Sequence, residues 1–143
     1  MPEDPLADLA ALVLTVGRLL RARTPDGPDV VPLTETERQV MRVVDLQPGS
    51  APSEIAARTR LQRTNVSTTL RGLEAKGMIA RVPDGGRGIA VHPTDLAVSK
   101  LQVLRTAWAA ELGPVLGGDL AAVRRCNALL ARLEQRLTGD GRG

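Results

Sequence analysis

The spacing of apolar residues changes near residue 78, and this change limits the folds open to the chain. Before that point, apolar side chains recur every three or four residues, as in amphipathic helices. Residues 78–82 and 89–92 are instead short runs of β type, separated by the turn-forming segment 83–88. Helical spacing returns after Thr94. The sequence therefore predicts a mainly α fold with a small β-hairpin, in the order four helices, hairpin, two helices.

Local signals indicate where the helices begin and end. Thr34 and Glu37 have the spacing of a capping box, which predicts that a helix begins just after Thr34. Gly77 predicts the end of a helix over residues 62–76, because glycine readily adopts the left-handed conformation of a helix cap. Pro114 is expected to kink or end the helix that follows the hairpin.

The helix over residues 62–76 has one apolar and one polar face. Val66, Leu70 and Leu73 share a face and should pack inward. A short preceding helix over residues 52–59 would hold this helix at an angle, and a single α-helix fits the major groove of duplex DNA. The opposite face carries donors and acceptors suited to base edges and phosphates. We predict DNA contacts from this face and from the hairpin tip: Gln62, Arg63, Thr64, Asn65, Ser67, Thr68, Arg71 and Arg87.

The hairpin tip and the charge distribution support the same interpretation. Arg87 lies among glycines, which suits insertion into a narrow minor groove. Asp84 is expected to support the hairpin tip, or wing, by holding Arg87 through a charge-assisted hydrogen bond. Residues 58–105 carry 9 basic and 3 acidic side chains, a net charge of +6, whereas residues 1–57 have a net charge of −4. A segment this basic favours a polyanionic partner.

The first and last predicted helices, residues 5–23 and 119–137, carry apolar stripes that are too continuous to face water. Pairing these stripes within or between chains would bury them. The predicted dimerisation residues are Leu6, Leu9, Val13, Val16, Leu20, Val123, Cys126, Leu130, Leu133 and Leu137. A two-fold homodimer would present two reading helices about 34–36 Å apart, and its operator should be roughly palindromic.

Composition excludes several other classes of function. One Cys, one His and one Trp, with no Phe or Tyr, offer neither a metal site nor the aromatic surface that usually binds single strands. The lone Cys126 is expected to be a small buried hydrophobe, and it suits a cytoplasmic protein. No apolar run approaches the ~20 residues of a membrane span. Without a nucleophile–base pair or a phosphate-binding glycine loop, no enzyme activity and no cofactor are expected.

The motifs in the middle of the chain resemble the DNA-binding lobe of the MarR family. The resemblance rests on Ser53-Glu54-Ile55-Ala56-Ala57-Arg58, Leu61, Thr64-Asn65-Val66-Ser67, Leu70 and Leu73-Glu74-Ala75-Lys76-Gly77-Met78-Ile79. It implies a winged helix-turn-helix lobe over residues 32–93, with dimerisation helices over 5–23 and 94–137, in one unit spanning 1–143. It also implies a transcriptional regulator, expected to be a repressor, that binds double-stranded DNA as a homodimer.

The same resemblance implies a cleft for a small-molecule effector, for which the sequence offers Arg18, Arg42 and Trp108. The chain departs from the family pattern at Arg60 and Gln62, where a glycine and a short polar cap are common. The alternative hypothesis is a winged-helix module that binds a protein and has no specific DNA site. Steep salt dependence of duplex binding would distinguish the two, because phosphate contacts release counterions.

Overall fold

The structure, a computed structural model, describes residues 3–24 and 31–139. Helices and strands follow the predicted order, which confirms the mainly α winged helix-turn-helix class. Their bounds are α1 (Pro5–Ala22), α2 (Glu35–Leu46), α3 (Pro52–Thr59), α4 (Arg63–Ala75), β1 (Ile79–Pro83), β2 (Ile89–Pro93), α5 (Asp95–Leu116) and α6 (Leu120–Gly139).

The predicted helix ends are confirmed. At the start of α2, Thr34 Oγ1 accepts a hydrogen bond from the Glu37 N–H at 3.1 Å, and Glu37 Oε1 accepts one from the Thr34 N–H at 2.8 Å. Gly77 follows α4 with φ of 74°, the left-handed conformation that glycine adopts without strain. Thr94 caps α5 by accepting from the Ala97 N–H at 3.1 Å.

The hydrophobic core lies where α2, α3, α4 and the hairpin meet. It consists of Val40, Met41, Val44, Ile55, Ala56, Val66, Leu70, Leu73, Met78, Ile79, Val91 and Ala97. Ala97 is the single contribution from α5, and within the described residues α1 and α6 contribute none. Residues 31–97 therefore pack as a lobe with its own core, to which the three longest helices are attached.

The segment between α2 and α3 fixes the hairpin to this lobe. β1 and β2 pair antiparallel, with Arg81 opposite Val91. The N–H of Gly49 donates to the carbonyl of Val91 at 2.8 Å, and the N–H of Val91 donates to the carbonyl of Ser50 at 2.9 Å. The hairpin thus has a backbone partner on the side away from β1, which sets its place beside α3.

The structure decides between the two alternatives expected at Pro114. Pro114 lies inside α5, which continues to Leu116, so it does not end the helix. The sequence also predicts a loop at residues 24–29 and a disordered tail at residues 138–143, which lie mostly outside the described residues. Thr138 is helical, however, and its hydroxyl donates to the Glu134 carbonyl at 2.8 Å. No helix in residues 3–24 and 31–139 is long and apolar enough to cross a membrane.

Candidate nucleic-acid interface

The two faces of α4 are arranged as the sequence predicted. Val66, Leu70 and Leu73 are at most 1% exposed and form part of the core. The side chains assigned to DNA contact all face water: Gln62, Arg63, Thr64, Asn65, Ser67, Thr68, Arg71 and, on the hairpin, Arg87. Within residues 3–24 and 31–139 no other segment covers this surface, so a duplex could reach it without rearrangement. The contacts to DNA themselves stay predictions.

Some side chains on the exposed face of α4 form hydrogen bonds within the helix, and others form none. Thr68 Oγ1 donates to the carbonyl of Thr64 at 3.0 Å, and Arg71 Nη2 donates to Thr68 Oγ1 at 3.4 Å. Arg71 is therefore tethered along the helix before any ligand binds. Within the described residues, the side chains of Arg63 and Ser67 form no such bond and are available to an external partner.

The turn that leads into α4 contains Arg60 and Gln62, the two residues that depart from the MarR family pattern. Arg60 adopts φ of 60°, the left-handed conformation that costs an L-residue roughly 1–2 kcal/mol and that glycine adopts freely. Gln62 is the N-cap of α4 and its side chain makes no capping hydrogen bond. The first N–H groups of α4 thus lack a side-chain cap from Gln62, and they lie beside the exposed Arg63.

Beside the same face, α3, α4 and β1 form an open pocket of about 240 Å³. Its lining residues are Pro52, Ser53, Arg63, Val66, Ser67, Leu70 and Arg81. Ser53 and Arg81 were not predicted as site residues, because they come from elements separated in sequence from α4. The available signal was the position of Ser53 in the first turn of α3 and of the cationic Arg81 in an otherwise apolar strand.

The role predicted for Asp84 needs correction. Asp84 Oδ1 accepts from the Gly86 N–H at 2.8 Å, and the Asp84 N–H donates to the Gly88 carbonyl at 3.1 Å. Its carboxylate lies against Gly88, where any side chain would collide with it. In the described residues Arg87 forms no ion pair with Asp84. Asp84 supports the wing by stabilising its backbone turn, because its carboxylate accepts from the Gly86 N–H.

Most arginines between residues 58 and 87 are not neutralised by a carboxylate of the described chain. Within the part of the chain that the structure describes, Arg81 pairs with Glu74 at 3.3 Å, whereas the other arginines of residues 58–87 form no ion pair: Arg58, Arg60, Arg63, Arg71 and Arg87. Guanidinium groups without an internal partner are the usual donors to phosphate oxygens and guanine edges.

An ion pair between the buried Glu37 and Lys76, whose side chain is 35% exposed, fixes the far end of α4 to α2. Lys76 Nζ lies 2.6 Å from Glu37 Oε1 and donates to the carbonyl of Pro32 at 2.9 Å. Burial alone would raise the pKa of Glu37, but the hydrogen bonds from Lys76 and Thr34 outweigh it, and the pKa lies below its ordinary value. The sequence analysis missed this pair, because 39 residues separate its members.

The residues predicted to form a dimer remain uncovered in the single chain. Most are exposed, while Leu20, Val123 and Leu130 are half-buried. Cys126 is exposed, so the expectation that it is buried is wrong for the single chain, where the apolar stripe of α6 is left largely uncovered. Whether a second chain covers these residues stays a prediction.

The residues suggested for an effector cleft are engaged separately. Arg42 bonds to Glu134, and Trp108 Nε1 donates to Thr24 Oγ1 at 3.1 Å. Arg18 is exposed on α1. These contacts do not join the three residues to one another. In the described ranges, no three His, Cys, Asp or Glu side chains lie close enough together to hold a metal ion.

Comparison with known proteins points to one family. Residues 31–88 match a family model described as MarR family. No curated protein matches the chain. Among solved structures, a MarR family protein from Bacillus stearothermophilus is similar with a TM-score of 0.71 and 18% identity, over 96% of this chain and 99% of that one.

Two further structures agree with this fold. A MarR-like transcriptional regulator from Thermotoga maritima has a TM-score of 0.64 and 21% identity, over 92% of this chain and 98% of its own. A MarR family transcriptional regulator from Rhodococcus sp. RHA1 has a TM-score of 0.60 and 18% identity, over 96% and 97%. The resemblance to the MarR family is thereby confirmed, in the lobe by the family model and across nearly the whole chain by the fold.

Proposed function

We propose that the chain is a sequence-specific transcriptional regulator, acting as a repressor, that binds a roughly palindromic DNA operator as a homodimer in the cytoplasm. The observation that carries the proposal is the open face of α4, where unpaired arginines and short polar side chains stand above a buried apolar face. By resemblance to the MarR family, the proposal includes a small-molecule effector that lowers operator affinity.

Each half of the site has a distinct task in this proposal. The start of α4, with Arg63 and Asn65, enters the major groove and reads base edges, for which Arg pairs with guanine and Asn with adenine. Arg87 at the wing tip enters the adjacent minor groove, which is narrowest in A-tracts. Bound sequences should therefore have a specific half-site flanked by A·T-rich pairs.

The test begins with duplexes selected from a random pool by the purified protein, followed by fluorescence anisotropy at fixed salt. We expect inverted half-sites about one helical turn apart. Arg63→Ala and Arg87→Ala should each weaken binding to the selected duplex by about 1–3 kcal/mol. Arg124→Ala is the matched control, because it removes the same charge from an exposed position on α6.

Three outcomes would reject the proposal. A pool that yields no preferred sequence would exclude specific recognition. Affinity that is nearly independent of salt would favour the protein-interaction module, because counterion release is missing. Equal weakening by all three Ala variants would show that only net charge matters and that α4 and the wing make no specific contact.

A further inference from the structure

The lobe and the flanking helices meet through polar contacts on α2. On its inner side, α2 contributes Val40, Met41 and Val44 to the core. On its outer side, Glu35 pairs with Arg21 of α1, and Arg42 pairs with Glu134 of α6. Glu35 and Arg42 are seven residues apart, which is close to two helical turns and places both on one side of α2.

Each ion pair includes a side chain that forms two hydrogen bonds, Arg42 in one pair and Glu35 in the other. Arg42 donates from Nε and Nη2 to the two carboxylate oxygens of Glu134, each at 3.2 Å, which is the bidentate arrangement that fixes direction as well as distance. Glu35 also accepts from Arg38 Nη2 at 2.8 Å, and Arg38 in turn donates to the Leu33 carbonyl. Arg38 therefore restricts the orientation of Glu35, and the Arg42–Glu134 pair is oriented by its own two hydrogen bonds.

The buried core of the lobe does not extend to α1 or α6. Neither α1 nor α6 supplies a residue to the core of the described chain, although α6 contacts α3. All four bridging side chains are at least 40% exposed, so the pairs add little to folding stability and are screened by salt. Weak contacts of this kind can select one orientation of a preformed lobe.

We infer that the Arg21–Glu35 and Arg42–Glu134 pairs set the orientation of the lobe on the dimerisation helices, and with it the separation of the two α4 helices. The four side chains are positioning residues for operator binding, which act through α2 and do not touch DNA. The inference rests on the proposed function, because only a two-headed DNA reader uses that separation.

The test uses Arg42→Glu, Glu134→Arg and the double exchange. The first change lowers and the second raises the net charge by two, while the exchange leaves it unchanged and restores an ion pair with reversed polarity. A general electrostatic effect on DNA affinity would move the two single variants in opposite directions. Loss of a positioning contact should instead lower the DNA affinity of both single variants, and the double exchange should restore it.

Two measurements separate the inference from the proposed function. Without DNA, a spin label at Thr64→Cys in a Cys126→Ser background reports the distance between the α4 helices of a dimer. We expect one narrow distribution for the parent protein, a broader one for both single variants, and recovery in the exchange. With DNA, the single variants should lose about two- to fivefold of the parent's discrimination against an operator lengthened by one base pair between half-sites.

Single variants with the parent's distance distribution would overturn the inference, and so would an exchange that fails to restore it. A parent protein that gives the expected distances and binds no specific duplex would overturn the proposed function alone. Absence of any distance between protomers would overturn both, because it removes the dimer.

Discussion

The lobe and α1 carry similar apolar patterns and have opposite fates in the single chain. Val66, Leu70 and Leu73 of α4 are at most 1% exposed, whereas Leu6 and Leu14 of α1 are 79% and 75% exposed. The elements of the lobe follow one another along the sequence and cover each other. In the part of the chain that the structure describes, no neighbouring element covers the apolar face of α1 in this way. Periodicity thus predicts that a face needs cover, but it does not identify the molecule that provides it.

The ion pairs inside the lobe also differ from those that join the lobe to α1 and α6. Inside the lobe, the Glu37 carboxylate of the Glu37–Lys76 pair is buried, whereas both partners of the pairs that join the lobe to α1 and α6 are exposed. Breaking the contacts inside the lobe therefore costs much free energy, whereas breaking the ion pairs between the lobe and helices α1 and α6 costs little. We expect the lobe to keep its shape while its orientation relative to α1 and α6 can change.

The largest effect should come from a charge in the apolar face of α1. In a dimer, Val13→Asp would place two carboxylates in a desolvated interface, so the dissociation constant should rise about 1,000-fold, or about 4 kcal/mol. Sedimentation velocity over a concentration series measures this. Ala11→Asp is the control, because position 11 lies on the opposite side of α1. Identical sedimentation of both variants and the parent would mean that this face forms no dimer.

A smaller effect is expected in the lobe core. Leu73→Ala removes a fully buried side chain and should lower the free energy of unfolding by about 3 kcal/mol, through lost burial and a residual cavity. Urea denaturation followed by circular dichroism measures the change. The same substitution at Leu46, which is 54% exposed at the end of α2, should cost less than about 1 kcal/mol. Equal losses at the two positions would contradict the separate core.

The sequence predicted features that depend on neighbouring residues. Thr34 and Glu37 formed the expected capping box, and Gly77 adopted the expected positive φ, because both follow from the geometry of a few residues. Arg60 adopts the conformation usual for glycine, which local preference alone disfavours. The surrounding helices impose it by packing on both sides of a three-residue turn.

Long-range partners could not be predicted in this way. The partner of Glu37 is Lys76, and the partner of Arg42 is Glu134, separated by 39 and 92 residues. For Asp84 the sequence predicts Arg87 as the partner, whereas in the structure the carboxylate accepts from the backbone N–H of Gly86. In each case several partners have suitable chemistry, and only the folded geometry chooses between them. The outward face of α4 can be predicted from the sequence, because the burial of three apolar residues on the other face determines it.

The smallest effect should distinguish the Glu37–Lys76 pair, whose carboxylate is buried, from the exposed Arg21–Glu35 pair. Glu37→Gln removes the charge that faces Lys76 and should lower the free energy of unfolding at pH 7 by about 1–2 kcal/mol. Glu35→Gln, two residues away and exposed, is the control and should cost less than about 0.5 kcal/mol. Urea denaturation of both variants and the parent at pH 7 measures the difference.

The pH dependence adds a second criterion with a fixed sign. Because the pKa of Glu37 in the folded chain lies below its ordinary value of 4.5, its ionised form stabilises the fold above that pH, and this contribution disappears as pH falls through the folded pKa. The difference between the parent and Glu37→Gln should therefore shrink below about pH 4.5. A difference that stays constant down to pH 3 would assign the loss to altered packing, and the charge of Glu37 would then have no part in holding α4 against α2.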